Sequence, residues 1–209
     1  PLARPEKAAA LRRLVHETPD GIAAIGGLRS YGDAALNSAG HGVLTTRLDR
    51  ILAFDPEDGT AEAEAGVTVR ELIEVFAPRG WMPAIANDVH GKNHHAAGSF
   101  GQHVESMELI GPDGAGRRLA PEDGAAFRAT VGGVGLTGVI LSARLRLARC
   151  PSPAMEVEER RMADLDAFMD AFEASRHPFT VGWIDATARG PELGRGILEE
   201  ADFAPAGAD

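Results

Sequence analysis

The chain has almost no cysteine. Cys150 is its only one, which excludes an internal disulfide and any Cys-rich zinc or iron–sulfur site. Positive charge is in the minority, 21 Lys and Arg against 31 Asp and Glu, for a formal net charge of −10. A surface with that balance repels a phosphate backbone, so nucleic acid is excluded as the principal partner. Long apolar runs are missing too: the uncharged stretch Val131–Ala143 is 13 residues long and Gly-rich, too short and too polar to cross a bilayer. No basic-then-apolar export signal opens the chain. The first residue is Pro1 rather than Met, so an upstream piece is expected to have been removed or left out. What remains, 209 residues with 44% hydrophobic and 25% charged, is the composition of an ordinary globular protein with a buried core. The expected location is cytoplasmic.

Pro5-Glu6-Lys7 opens an amphipathic helix with Ala8, Leu11, Leu14 and Val15 on one face, stopped by Pro19-Asp20-Gly21. Ile22–Ile25, Val43-Leu44 and Ile51–Phe54 read as strands. Thr60–Ala65 alternates Glu with Ala, the pattern of a half-exposed strand. Thr68-Val-Arg-Glu71 is a capping box for a helix whose apolar stripe is Leu72, Ile73 and Phe76. Val104–Ile110 and Arg117–Ala120 flank a hairpin turn at Pro112-Asp113-Gly114, and Pro121–Thr130 reads as a short helix. Val139–Leu147 is a strand with Val139, Leu141, Ala143, Leu145 and Leu147 on one face. Cys150-Pro151-Ser152-Pro153 breaks the texture, and a domain boundary is expected there, between residues 1–150 and 151–209. Beyond it come a strand over Met155–Arg161, a helix over Asp164–Ser175 and a strand over Phe179–Asp185. Phe168, Met169, Phe172 and Trp183 are expected in the core, and Asp185 as a local cap or ion-pair partner. The Gly/Pro/Ala-rich tail from Gly190 offers no closing element, which leaves the second unit incomplete.

Three aperiodic segments spend glycine and polar residues on long loops, as binding sites do. The first, Gly26-Gly27-Leu28-Arg29-Ser30-Tyr31-Gly32-Asp33, directly follows a strand. Successive N–H groups in such a turn make an anion cradle suited to a pyrophosphate, although a plain surface turn has the same composition. The second, Ala86-Asn87-Asp88-Val89-His90-Gly91-Lys92-Asn93-His94-His95, runs on to Gly98-Ser99-Phe100-Gly101. His90 and His94 have the i, i+4 spacing of a helical metal site. Gly91 and Asn93 are poor helix formers, however, and no carboxylate stands where a zinc hydrolase needs one, so no metal is expected. Neutral histidines and Lys92 suit a ligand with hydrogen-bonding edges and developing negative charge; a polar loop held by its own network is the bland alternative. The third, Gly132-Gly133-Val134-Gly135-Leu136-Thr137-Gly138, contains G-x-G-x-x-G. A dinucleotide fingerprint follows a strand and opens a helix; here a helix precedes and a strand follows, so a Rossmann domain is rejected. These glycines let the backbone lie against a flat ligand, or simply make a helix-to-strand turn.

Leu28-Arg-Ser-Tyr-Gly-Asp33, Ala86–His95 with Gly98-Ser-Phe-Gly101, and Gly132–Gly138 together resemble the FAD-binding domain of the vanillyl-alcohol oxidase and p-cresol methylhydroxylase (PCMH) superfamily, over residues 4–203. The long middle motif is most similar to the branch that oxidises the 2′-hydroxyl of decaprenylphosphoryl-ribose, the flavin half of the epimerase behind the arabinan precursor of actinobacterial cell walls. The resemblance implies an α+β fold: a two-subdomain PCMH-type FAD-binding domain, then an incomplete α+β substrate (cap) domain. It implies FAD, contacted by Gly26, Gly27, Leu28, Arg29, Ser30, Tyr31 and Gly32, by Ala86, Asn87, Asp88, Val89, His90, Asn93, His94 and Ser99, and by Gly133, Gly135, Gly138, Val139 and Ile140. Tyr31, His90 and Lys92 would be catalytic, beside the isoalloxazine and the sugar.

Some superfamily members bond the flavin covalently to a histidine at the position of Arg29. Arginine cannot make that bond, so the FAD is expected to be noncovalent. The implied reaction is hydride transfer from a ribose 2′-CH–OH to flavin N5, giving a 2′-keto sugar that a partner NAD(P)-dependent keto-reductase turns into arabinose. A polyprenyl-phosphate substrate implies peripheral contact with a membrane, without a span. Two features depart from the pattern. Between Pro83 and Ala84 the family has a further stretch, with a Pro-Gly-Thr turn and a Gly-Gly pair at the flavin. It also continues past Asp209, returning a lysine and a tyrosine to the active site. The same residues leave open an FAD-linked oxidase of a soluble sugar or alditol, and a degenerate flavin fold without chemistry.

Overall fold

The computed structural model describes residues 2–18, 21–29, 37, 40–83 and 98–207. Strands β1 (Leu2–Ala3), β2 (Ile22–Ile25) and β3 (His41–Leu44) form a parallel sheet in the order β1-β3-β2, with α1 (Ala8–Glu17) connecting the first two. Parallel strands need such a crossover, because a tight hairpin only reverses the chain. Leu11 and Val15, four apart on α1, are buried, and Arg12 and Arg13 face solvent, as the helical period demands.

An antiparallel sheet follows. Its order is β4 (Ile51–Asp55), β5 (Thr60–Glu64), β9 (Val139–Arg149), β7 (Val104–Ile110) and β8 (Gly116–Leu119), with β6 (Trp81–Pro83) paired to the far end of β9. Between β5 and β6, α2 (Val69–Phe76) opens with the reciprocal cap read from the sequence. Glu71 N donates to Thr68 Oγ1 (3.2 Å) and Thr68 N to Glu71 Oε2 (2.7 Å). Gly80, at φ +77°, takes the left-handed turn that ends the helical run. Phe76, Trp81, Val104, Met107, Leu145 and Leu147 belong to one core; Leu11, Val15, Val43, Ile110, Val139 and Leu141 form another, against α1.

Strand β9 serves both cores through a bulge. Ser142 pairs with Glu108 but Ile140 pairs with Leu109, so β9 carries one extra residue, Leu141. Val139 and Leu141 therefore turn to the second core while Leu145 and Leu147 stay in the first. The alternating run read as a single face has two.

Other expectations are corrected as well. β5 is not half-exposed: Thr60, Ala61, Ala63 and Glu64 are buried, because β4 and β9 flank the strand and Glu64 Oε2 accepts from Arg50 Nε (3.0 Å) and Arg50 N (2.9 Å). Pro121–Thr130 is two pieces, a 3-10 turn over Pro121–Asp123 and α3 (Ala125–Thr130), because Gly124 at φ +57° breaks the ladder.

The tail forms a strand after all. β12 (Gly196–Phe203) is the centre of a third, antiparallel sheet, order β10 (Met155–Met162), β12, β11 (Phe179–Ile184). Its Leu198 is fully buried, and so is Glu200, whose carboxylate accepts from Arg160 Nε at 3.0 Å. One helix, α4 (Leu165–Ala174), covers this sheet; Asp164 Oδ1 caps it by accepting from Ala167 N (2.8 Å). Only Phe168 of its apolar residues is buried. Met169, Phe172 and Trp183 are exposed rather than core. Phe168 meets the sheet at Gly182, and Trp183, one residue on, points to the opposite face.

Candidate functional site

Gly26 and Gly27 leave the C-terminal end of β2, where Thr45 N donates to Ile25 O (2.9 Å) and holds the strand end to β3. The carboxyl ends of parallel strands are where open sheets with helical crossovers receive ligands. Among the described residues, and chain neighbours aside, no atom lies within 4 Å of the position a Cβ would take at either glycine. Among the described residues, nothing accepts a hydrogen bond from the N–H groups of Gly26, Gly27 or Leu28. Two consecutive residues without side chains, with unclaimed donors, are what a phosphate cradle requires. Leu28 follows at φ +56° and is 62% exposed, and Arg29 is exposed beside it.

The third Gly-rich segment packs on the middle of the same strand. A Cβ on Gly135 would lie 3.1 Å from Cβ of Ala24, so the loop after α3 rests directly on β2. Val134, at φ +52°, is 66% exposed and Leu136 is 88% exposed. Leu28 and Val134 are the only non-glycine residues with positive φ among those described, and both present bare apolar side chains. Strain of about 1–3 kcal/mol per residue is retained at sites where the fold over-determines it, and such sites bind.

The glycines of this loop differ in purpose. A Cβ on Gly133 would sit 2.1 Å from Ala129 O, and one on Gly138 2.4 Å from Ile110 O, so the protein's own backbone fills both spaces. Val139 lies in the second core, and Ile140 packs on the first. A groove of about 350 Å³ runs between α1, β2 and this loop, lined by Val15, Ile22, Ile110, Leu136 and Val139 among others. That is the lower end of the range for small-molecule sites. The sequence reading missed Val15, Ile22 and Ile110, whose periodicity marks them only as core.

Of the second segment, Gly98, Ser99, Phe100 and Gly101 are described, the last two in the 3-10 turn Phe100–His103. Gly98 is at φ +70°, and the space a Cβ would take is occupied by the Gln102 amide (Oε1 at 2.0 Å). Ser30, Tyr31, Gly32, Ala86, Asn87, Asp88, Val89, His90, Lys92, Asn93 and His94 lie outside the described residues. The structure thus sets Gly135 of the third segment against Ala24 of β2, the strand that leads into Gly26–Arg29.

Two other reactive groups have local roles. Asp185 is drawn down to about 2 by Thr187 Oγ1 (2.6 Å) and Thr187 N (2.9 Å), then by Arg195. It closes a turn, as expected. Burial pushes the Cys150 thiol up, and its Sγ donates to Ser152 O (2.8 Å), so it is no nucleophile. Among the described residues no three His, Cys, Asp or Glu side chains are grouped to hold a metal.

The open glycine turn after β2 fits the pyrophosphate of a dinucleotide, while the groove meets β2 at its other end, at Gly21 and Ile22. Comparison with known proteins agrees. Residues 2–120 match the FAD binding domain family. The chain is 36% identical over 213 residues to a decaprenylphosphoryl-beta-D-ribose oxidase from Mycolicibacterium smegmatis, covering 93% of this chain and 46% of that protein. It is 36% identical over 154 residues to an uncharacterized protein from Streptomyces coelicolor, covering 66% of this chain and 42% of the relative. The chain therefore spans less than half the length of either. An alkyldihydroxyacetonephosphate synthase structure superposes with a TM-score of 0.78 over 98% of this chain and 47% of its own, at 15% identity, a likeness of fold. On the family match and the site geometry together, this chain belongs to the FAD binding domain family.

Proposed function

We propose that this chain is the cofactor-binding part of an FAD-dependent oxidoreductase that converts the 2′-CH–OH of a polyprenylphosphoryl ribose to a 2′-ketone. The observation that carries this reading is the pair of open glycines at the end of β2, followed by the exposed side chain of Leu28. The choice of substrate draws on the name of the M. smegmatis relative. When bound, FAD supplies the acceptor for the hydride that leaves C2′.

The remaining work falls to the chain. N–H groups of Gly26, Gly27 and Leu28 hold the pyrophosphate, and the exposed Leu28 side chain shields the flat rings from water. Arg29 stands where a covalent link would need histidine, so the cofactor is held without a bond. Tyr31 and His90 are the candidates to take the proton of the 2′-hydroxyl, and Lys92 to supply positive charge as it leaves. The 2′-keto product would pass to an NAD(P)-dependent keto-reductase. A polyprenyl chain would bring the protein to a membrane surface; among the described residues no helix is long and apolar enough to cross one.

The test is the visible spectrum of the purified full-length protein, before and after acid precipitation, followed by anaerobic addition of a short prenylphosphoryl ribose. A flavin spectrum that moves to the supernatant and bleaches with the sugar is expected. Colour that stays in the pellet refutes the noncovalent assignment. Flavin that stays oxidised refutes the substrate.

A further inference from the structure

Beside Ser99 lies a second groove, of about 510 Å³, between the 3-10 turn Phe100–His103 and α3. Pro121, Phe127 and Val131 line it with carbon; Ser99, Gln102 and Arg128 supply its polar groups. The Gln102 amide lies over Gly98, in the space a side chain there would need. Arg128 is exposed, and its guanidinium has no carboxylate partner among the described residues. A guanidinium, an amide and a hydroxyl above an apolar floor match a phosphoryl group joined to a hydrocarbon.

We propose that this groove binds the phosphoryl group of an apolar-tailed phosphate ester, with Arg128 as its anchor and Gln102 and Ser99 as further donors. The proposal deepens the oxidoreductase reading and rests on it for the identity of the ester, a prenyl phosphate whose first units lie on Phe127, Val131 and Pro121. Arg128 is then a positioning residue: it fixes the phosphate so that the sugar is presented to the cofactor. The cofactor's own pyrophosphate has the same chemistry, and the test separates the two sources.

Flavin-loaded full-length protein is titrated calorimetrically with farnesyl phosphate and with farnesol, and FAD affinity of the apoprotein is measured separately, for wild type, Arg128→Ala and Arg128→Lys. Losing a charge-assisted hydrogen bond to a phosphate weakens binding roughly 10- to 100-fold, so that loss is expected for farnesyl phosphate in Arg128→Ala. Arg128→Lys should recover part of it. Farnesol binding, FAD affinity and the unfolding midpoint should stay unchanged. A loss of FAD affinity in Arg128→Ala assigns the cation to the cofactor and overturns the proposal. Equal farnesyl phosphate affinity in wild type and variant, or no binding by wild type, overturns it too. No arm requires turnover, so a protein that binds farnesyl phosphate through Arg128 but oxidises no sugar refutes the function reading alone.

Discussion

Gly27→Ala and Gly138→Ala should fail in opposite ways, and the contrast tests the division of labour among the glycines. At Gly138, φ is +145° and a Cβ would lie 2.4 Å from Ile110 O and 2.8 Å from Leu109 Cδ1. Neither neighbour yields easily, since Ile110 O belongs to the backbone of β7 and Leu109 is in the first core. Overpacking of that kind costs about 1–3 kcal/mol, and an L-residue in left-handed backbone about 1–2 more, so a loss near 3 kcal/mol is expected. For a chain of this length that lowers the midpoint by about 6–12 °C, with or without FAD. At Gly27 a Cβ meets nothing within 4 Å among the described residues, and φ is not in the left-handed region. Stability should hold or rise by about 0.4–1 kcal/mol, because alanine restricts the unfolded chain. FAD affinity should nevertheless fall, because the methyl stands where the cradle approaches its anion. The assay is thermal unfolding of both apoproteins, with FAD titration followed by quenching of flavin fluorescence. A Gly27→Ala protein that keeps wild-type FAD affinity, or a Gly138→Ala protein with a wild-type midpoint, refutes the reasoning.

Three further outcomes follow from the packing. Glu64→Gln should cost about 1–2 kcal/mol at pH 7, because its buried carboxylate accepts three hydrogen bonds from Arg50. Those bonds, the side-chain ones first, hold the Glu64 carboxyl below its ordinary value of 4.5, so the stabilisation is present above that value. It fades as protonation sets in, and urea unfolding of the two proteins should converge between about pH 5 and pH 3. Gly59→Ala puts a Cβ about 2 Å from the Trp81 ring at φ +67°; it should cost about 2–4 kcal/mol and shift tryptophan emission as the indole moves. Phe168→Ala removes the one buried apolar side chain of α4 and should cost about 3–5 kcal/mol by denaturant unfolding.

The elements that the sequence reading placed well are those settled within a few residues. The cap of α2 needs only Thr68 and Glu71, and β2 is a short apolar run between turn residues. It failed where a distant strand decides. The run Val139–Leu147 alternates without a break, and the bulge at Leu141 exists only because β7 pairs out of step with it. Strand β12 was hidden because Glu199 and Glu200 interrupt its apolar pattern, yet Glu200 is buried through Arg160 on β10. A single sequence does not announce that partnership.

The site was legible in the same uneven way. Composition marked all three Gly-rich segments, but glycine is kept for two reasons that composition does not separate. Gly133 and Gly138 make room for the protein's own carbonyls, whereas Gly26 and Gly27 make room for nothing among the described residues. Periodicity likewise marks Val139 for the core that it enters, and gives no sign that its neighbours line a groove. What brings the third segment to the strand that leads into the first is the contact of Gly135 with Ala24, between residues far apart in the chain. Through it the Gly132–Gly138 loop is a strut: anchored on β7 at Ile110 and resting on β2, it sets where Val134 and Leu136 stand relative to the cradle. Substitutions in the strut should therefore move stability and cofactor affinity together, while those in the cradle move affinity alone.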